Sequence, residues 1–182
     1  MRKIAGLGAR SVVSLLGVGS LVGLTASCSS PSPAHEYAVP SNVCGTHVAR
    51  TLLEPLLPAG EQISTRPTST VGVKRCRLVV DGKVIFSSSL EKRDANTTAD
   101  DVASSAHGVD PTDSRAEEGH VIYSTTGAVG LVRCPDSASA LTTVWATVRT
   151  SHAVKAAAMR AFIEGYVSAA AKSDACRTLS GQ

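Results

Sequence analysis

VGVKRCRLVVDGKVIFSSSL, residues 71–90, decides how this chain folds. Two β-rich runs flank Asp81-Gly82, and both turn residues tolerate positive φ, so the segment predicts a tight hairpin. Side chains alternate along a strand, which sets Cys76, Leu78 and Val80 on one face and Arg75, Arg77 and Val79 on the other. The cysteine side is the expected core side. A similar string recurs 58 residues later, where Val129-Gly130-Leu131-Val132-Arg133-Cys134 echoes Val71-Gly72-Val73-Lys74-Arg75-Cys76. Each copy leads into a second β-rich run, 84–90 and 141–148. Duplication of a hairpin unit (71–90 and 129–148) and chance agreement of two short β strings both stand open.

Outward from the hairpin, Val48, Leu52 and Leu56 fall at helical spacing in residues 41–57, and the helix ends or kinks at Pro55. His47 is expected on the surface of that helix. Residues 92–119 are polar: Thr98-Ala99-Asp100-Asp101 opens a short helix ending at Gly108, and an exposed loop follows to Gly119. His120 to Tyr123 predicts a short strand leading into the second β-rich pair. Residues 152–172 place Met159, Phe162, Ile163, Tyr166, Val167 and Ala170 on one stripe, opposite Arg160, Glu164 and Ser168. That pattern is an amphipathic helix of about five turns, with Gly165 a weak point in it.

The chain opens with Arg2, Lys3 and Arg10, followed by an uncharged run of Val, Leu and Gly over residues 11–24. A basic n-region before a short apolar stretch is an export signal, and the stretch is short of the roughly 18–20 residues that span a bilayer. Removing residues 1–27 of 182 leaves 155, enough for one domain with a sizeable core. It also removes the whole formal charge of +3, leaving 15 basic and 15 acidic residues. A neutral balance gives no reason to expect nucleic acid or strong attraction to anionic lipid. Aromatic residues are only 3%, so the core must be built of small and branched aliphatic side chains around Trp145, Phe86 and Phe162. Residues 29–40, SSPSPAHEYAVP, lack either hydrophobic period and read as an extended tether.

Leu24-Thr25-Ala26-Ser27-Cys28 resembles the lipobox of bacterial lipoproteins, departing from it in carrying Thr25 where Leu is usual. The resemblance implies cleavage before Cys28 and a diacylglyceryl thioether on its sulfur; ordinary signal cleavage is the runner-up. Lipidation of Cys28 would leave Cys44, Cys76, Cys134 and Cys176, an even set. None forms a CxxC pair, and in an oxidising exterior four such cysteines make two disulfides. Three pairings are open to them. We favour Cys44 with Cys76 and Cys134 with Cys176, because each joins a terminal helix to one copy of the hairpin.

Candidate chemistry is sparse. Ser89-Leu90-Glu91-Lys92 matches the Ser-x-x-Lys string of penicillin-recognising enzymes, but at the end of a strand positions three apart face opposite sides, and the partner motifs are missing. His107 and His120, with Asp110, Asp113, Glu117 and Glu118 between them, offer donor atoms for a divalent cation, although a solvated acidic loop explains them better. Lys74, Arg75, Arg77 and Lys83 form a local basic cluster that reads either as the wet face of the hairpin or as a seat for a phosphate or teichoic-type polymer.

The whole pattern resembles the small envelope lipoproteins of actinobacteria. It implies residues 1–27 as signal, 28–40 as tether and 41–182 as one α+β domain on the extracytoplasmic face of the cell membrane. The expected architecture is an antiparallel sheet of about four to five strands packed by the C-terminal helix and closed by two disulfides. Expected partners are the membrane, through the lipid on Cys28, and an envelope protein or small ligand; no nucleic acid is expected, and the domain reads as a monomer. We assign no catalytic, cofactor-binding or metal-ligating residue. A non-enzymatic binding module leads, ahead of a metal-assisted envelope hydrolase using the 107–120 loop and of an accessory subunit of an envelope complex.

Overall fold

A computed structural model describes residues 35–135 and 141–181. The signal, Cys28 and the first part of the tether lie outside the described residues. Among the described residues the fold is α+β, with a seven-stranded, wholly antiparallel main sheet, four α-helices and two disulfides. After a two-stranded ribbon, β1 (Asn42–Val43) with β2 (Thr46–His47), helix α1 (Arg50–Leu53) and a 3-10 turn at Glu54–Leu56, the sheet begins. Its strands are β3 (Ile63–Thr70), β4 (Val73–Val80), β5 (Lys83–Asp94), β6 (Ser114–Ala116), β7 (Val121–Tyr123), β8 (Gly127–Val132) and β9 (Thr142–Thr150). Helix α2 (Ala99–Ser105) connects β5 to β6, and α3 (Ala156–Ala171) and α4 (Asp174–Ser180) close the chain. The sheet order is β3-β4-β5-β9-β8-β7-β6: two meanders, joined where the long strands β5 and β9 pair.

Seven strands replace the four to five expected from sequence, and the two additions are the edges, β3 and β6. β3, ISTRPTST, has seven of its eight residues exposed, so it buries no face that could print an alternating pattern. Pro67 within it is tolerated because an edge strand leaves half its N–H groups unpaired. β6 sits inside the segment read as a loop and is held by three register pairs to β7.

The Asp81-Gly82 hairpin forms as expected, with φ of 47° and 79° at its two turn residues. The 58-residue repeat does not survive as a structural one. Val73 faces Glu91 in the first hairpin, whereas Arg149, 58 residues beyond Glu91, faces Gly127 and not Leu131. The registers differ by four residues, so the two similar strings occupy different places on the sheet.

One face of the sheet carries the main core. Cys76, Leu78, Phe86, Leu90, Val144, Ala146 and Val148 pack there against Met159, Phe162, Ile163, Tyr166 and Ala170 of α3. Phe86 and Phe162 meet edge-on at 5.3 Å, Phe162 stacks on Tyr166 at 5.6 Å, and the buried Tyr166 hydroxyl donates to Ser88. Three of the few large side chains thus gather at one spot, where a core of small residues most needs volume. On the opposite face α2 covers a smaller core of Val102, Ile122, Val129 and Trp145. The Trp145 indole N–H is met by Thr143 Oγ1 at 3.1 Å.

Three expectations fail near the N-terminus. The helix expected over 41–57 is only one turn plus a 3-10 turn, because the chain reverses at Cys44-Gly45, where both residues have positive φ. His47 therefore lies exposed on β2, not on a helix. The packed chain begins before residue 41: His35 bridges to Gly60, and Tyr37 is buried with its hydroxyl donating to the Pro58 carbonyl. Among the described residues, every buried side chain and both disulfides lie between Tyr37 and Ser180, so this part holds its own core. Gly165 has a packing side as well: a Cβ there would come within 2.4 Å of Leu52 Cδ1, where α1 meets α3.

Candidate functional site

The disulfides are Cys44–Cys76 and Cys134–Cys176. The first ties the turn of the β1–β2 ribbon to the middle of β4, and the second ties the end of β8 to α4. Only the second meets a helix. The attachment of Cys44 is a strand turn, which the sequence pattern had presented as helical.

Beside the second disulfide, at the end of the sheet where β7 begins and β8 ends, α3 leaves a groove of about 390 Å³. Its floor is Val121, Leu131, Val167 and Ala171, and its rim carries Glu117, His120, Arg133, Glu164 and Lys172. Two features shape it. Gly130 has no side chain to hold α3 away: a Cβ would lie 2.9 Å from Val167 Cγ1 and 3.2 Å from Ile163 Cγ1. Glu117, Glu118 and Gly119 then run in succession with φ of 48°, 54° and 89°. The left-handed region disfavours a glutamate, so two in a row store strain of about 1–2 kcal/mol each. That turn is what presents Glu117 and His120 to the groove. Across it, Glu164 accepts from Arg160 Nε at 2.8 Å. The result is an apolar slot edged by charges of both signs, the usual make-up of a small-ligand pocket.

A second surface without a covering layer is the half of the α2 face that α2 does not reach. Sheet register aligns Arg66, Arg77, Ser87 and Arg149 in one row across β3, β4, β5 and β9. The next row holds Thr68, Arg75, Ser89 and Thr147 and runs on into Val129 and Ile122 beneath α2, which fixes the face. Arg75 and Arg77 were legible in the sequence as part of a basic cluster. Arg66 and Arg149 were not, because only strand pairing brings residues 83 positions apart into one row. Lys74 lies on the other face, with Cys76, while Lys83 stands at the turn.

The remaining candidates are dispersed. Ser89 Oγ donates to Glu91 at 2.9 Å and shares a 2.7 Å hydrogen bond with Thr147 Oγ1, while Lys92 faces the opposite side of β5. Glu91 in turn is held by Arg93 at 2.7 Å and by Arg75 at 3.6 Å. Ser89 and Lys92 therefore do not form the pair that would activate a nucleophile.

His107 and His120 are likewise apart. The His107 carbonyl lies against Gly127, at one end of β8, and His120 accepts from Leu131 N–H near the other, about 13 Å of strand away. Between them Asp110 accepts from Thr112 and Asp113 from Asp110 N–H, and Arg115 pairs with Asp100 of α2. The Thr112 N–H holds the Asp110 carboxyl below its ordinary pKa. Among the described residues no three His, Cys, Asp or Glu side chains gather closely enough to hold a metal ion. No helix among them is long and apolar enough to cross a membrane. Comparison with protein-family models, curated proteins and solved structures finds no match to this chain.

Proposed function

We propose that this protein is an extracytoplasmic lipoprotein, held on the membrane through lipid on Cys28, whose domain acts by binding a small ligand or an envelope partner in the groove beside α3. The observation that carries the reading is the groove itself, an apolar floor with a mixed-charge rim beside a strained turn. Its position supports the same view. The chain enters the domain at His35 and Gly60, beside Val80, whereas the groove lies at the opposite end of the strands. A domain tethered at one end thus presents its groove at the other.

Two measurements test this. Mass analysis of the protein made in its own cells is expected to show a chain starting at a diacylated Cys28; an intact N-terminus or an unmodified Cys28 refutes the anchor. Native mass spectrometry of protein released from membranes is expected to show an adduct that Val167→Trp, which fills the groove, removes. No adduct, or one that persists in the variant, refutes the groove as the seat of binding.

A further inference from the structure

We infer that the open arginine face of the sheet is a membrane-contact surface that rests on anionic phospholipid headgroups. The mature chain is neutral overall, but its charges are sorted. On the open half of this face the strands carry Arg66, Arg75, Arg77, Arg93 and Arg149 against the carboxylate of Glu91, which is already engaged by Arg93 and Arg75, while Glu61 and Asp81 line a hollow beside Arg66. Arg66, Arg77 and Arg149 have no acidic partner among the described residues, and all three are exposed.

Arg66 and Arg77 also stand directly opposite one another across β3 and β4, a placement that destabilises a sheet. Charge on an edge strand discourages edge-to-edge pairing, which accounts for Arg66. It does not account for Arg77 or Arg149, which sit on the interior strands β4 and β9. A row of unpaired cations on a paired, rigid surface fits a partner that is flat and anionic.

Chain length favours the bilayer as that partner. This step takes its geometry from the anchor at Cys28 proposed above. Cys28 and His35 are seven positions apart, a reach of at most about 25 Å. His35 is fixed at Gly60, beside Val80, and Arg77 lies three residues, about 10 Å of strand, from there. The arginine row is therefore near the tethered end of the sheet, within reach of headgroups. Acidic groups stand at this end too: Asp81 accepts from the backbone N–H of Glu61 and Gln62 at 2.9–3.2 Å, and the five arginines outnumber the carboxylates of Glu61, Asp81 and Glu91. With this face down, the groove beside α3 remains clear of the membrane.

The test uses residues 29–182, which hold the whole core and carry no lipid, so it is independent of whether Cys28 is modified. Sedimentation with vesicles of equal phosphatidylglycerol and phosphatidylcholine is expected to show binding that weakens steeply as salt rises, with none to pure phosphatidylcholine. Each arginine at an anionic surface is worth about five-fold, so R66Q/R77Q/R149Q together should weaken binding roughly 100-fold. The triple lysine variant should retain most of it. Circular dichroism confirms that each variant is folded. Equal binding to pure phosphatidylcholine, unchanged binding by the triple glutamine variant, or binding of soluble inorganic polyphosphate with no vesicle binding would each overturn the inference while leaving the anchor and the groove untouched.

Discussion

Deleting the disulfides one at a time should divide the stability of this domain into two separate and nearly equal parts. Cys44–Cys76 closes 32 residues of chain and Cys134–Cys176 closes 42. In the chain-entropy treatment those loops remove about 3.7 and 3.9 kcal/mol of denatured-state freedom at 25 °C. The two loops do not overlap in sequence, so their contributions add to roughly 7.6 kcal/mol. A domain of this size is stable by only about 5–15 kcal/mol, and this one has few aromatic side chains with which to compensate. The reduced protein should therefore sit close to its unfolding midpoint without denaturant.

Alanine is the informative replacement, since Cys76 and Cys176 are 2% and 1% exposed and serine would bury an unpaired hydroxyl. Urea unfolding of C44A/C76A and of C134A/C176A, each with the other disulfide intact, is expected to lose between 3 and 4 kcal/mol. The quadruple variant should lose about twice that, and reductant should not change it further. Losses below about 1 kcal/mol for both pairs would refute the claim that these cross-links, and not the core alone, carry the fold.

Two further outcomes follow from particular contacts. Gly130→Ala drives a methyl group against the fully buried Ile163 and against Val167, and should cost about 1–3 kcal/mol in urea unfolding while displacing α3 at the groove; an unchanged midpoint would mean the helix is not seated on β8 as described. At the start of α2, Asp101 N–H donates to Thr98 Oγ1, and the Asp101 carboxylate accepts from the Thr98 hydroxyl and N–H, which lowers the Asp101 pKa. A lowered carboxylate pKa stabilises fully above its ordinary value near 4, and the effect is lost as pH falls through the lowered value. Amide exchange in α2 should therefore be slowed at pH 7 and less so near pH 3, and Thr98→Ala should speed it roughly five-fold at pH 7 and by less near pH 3, where only the N–H to Oγ1 cap bond is left to lose.

The sequence by itself determined the elements that bury a face. The 71–90 hairpin and the long apolar stripe of α3 repeat a period because one side of each meets the core, and α2 was legible from its Thr98 cap. The favoured cysteine pairing also matches the structure, although one of its two reasons, a helix at Cys44, was mistaken. Elements that bury nothing left no such mark: β3 is exposed along seven of eight residues, β6 is three residues long, and neither carries a pattern to read. The break at Cys44-Gly45 was hidden for a different reason, since Val48, Leu52 and Leu56 keep helical spacing even though most of the segment is not helix.

Both candidate surfaces belong to tertiary structure alone. The groove draws residues from 117 to 172 and exists because Gly130 admits α3. The arginine row joins residues 66, 77 and 149 through three strand pairings. Composition counts charges without saying where they stand, and a neutral total concealed a cationic face. Periodicity reports which side of an element is dry; which distant sides then lie together is set by sheet order and register, and those depend on pairings between segments far apart in the chain.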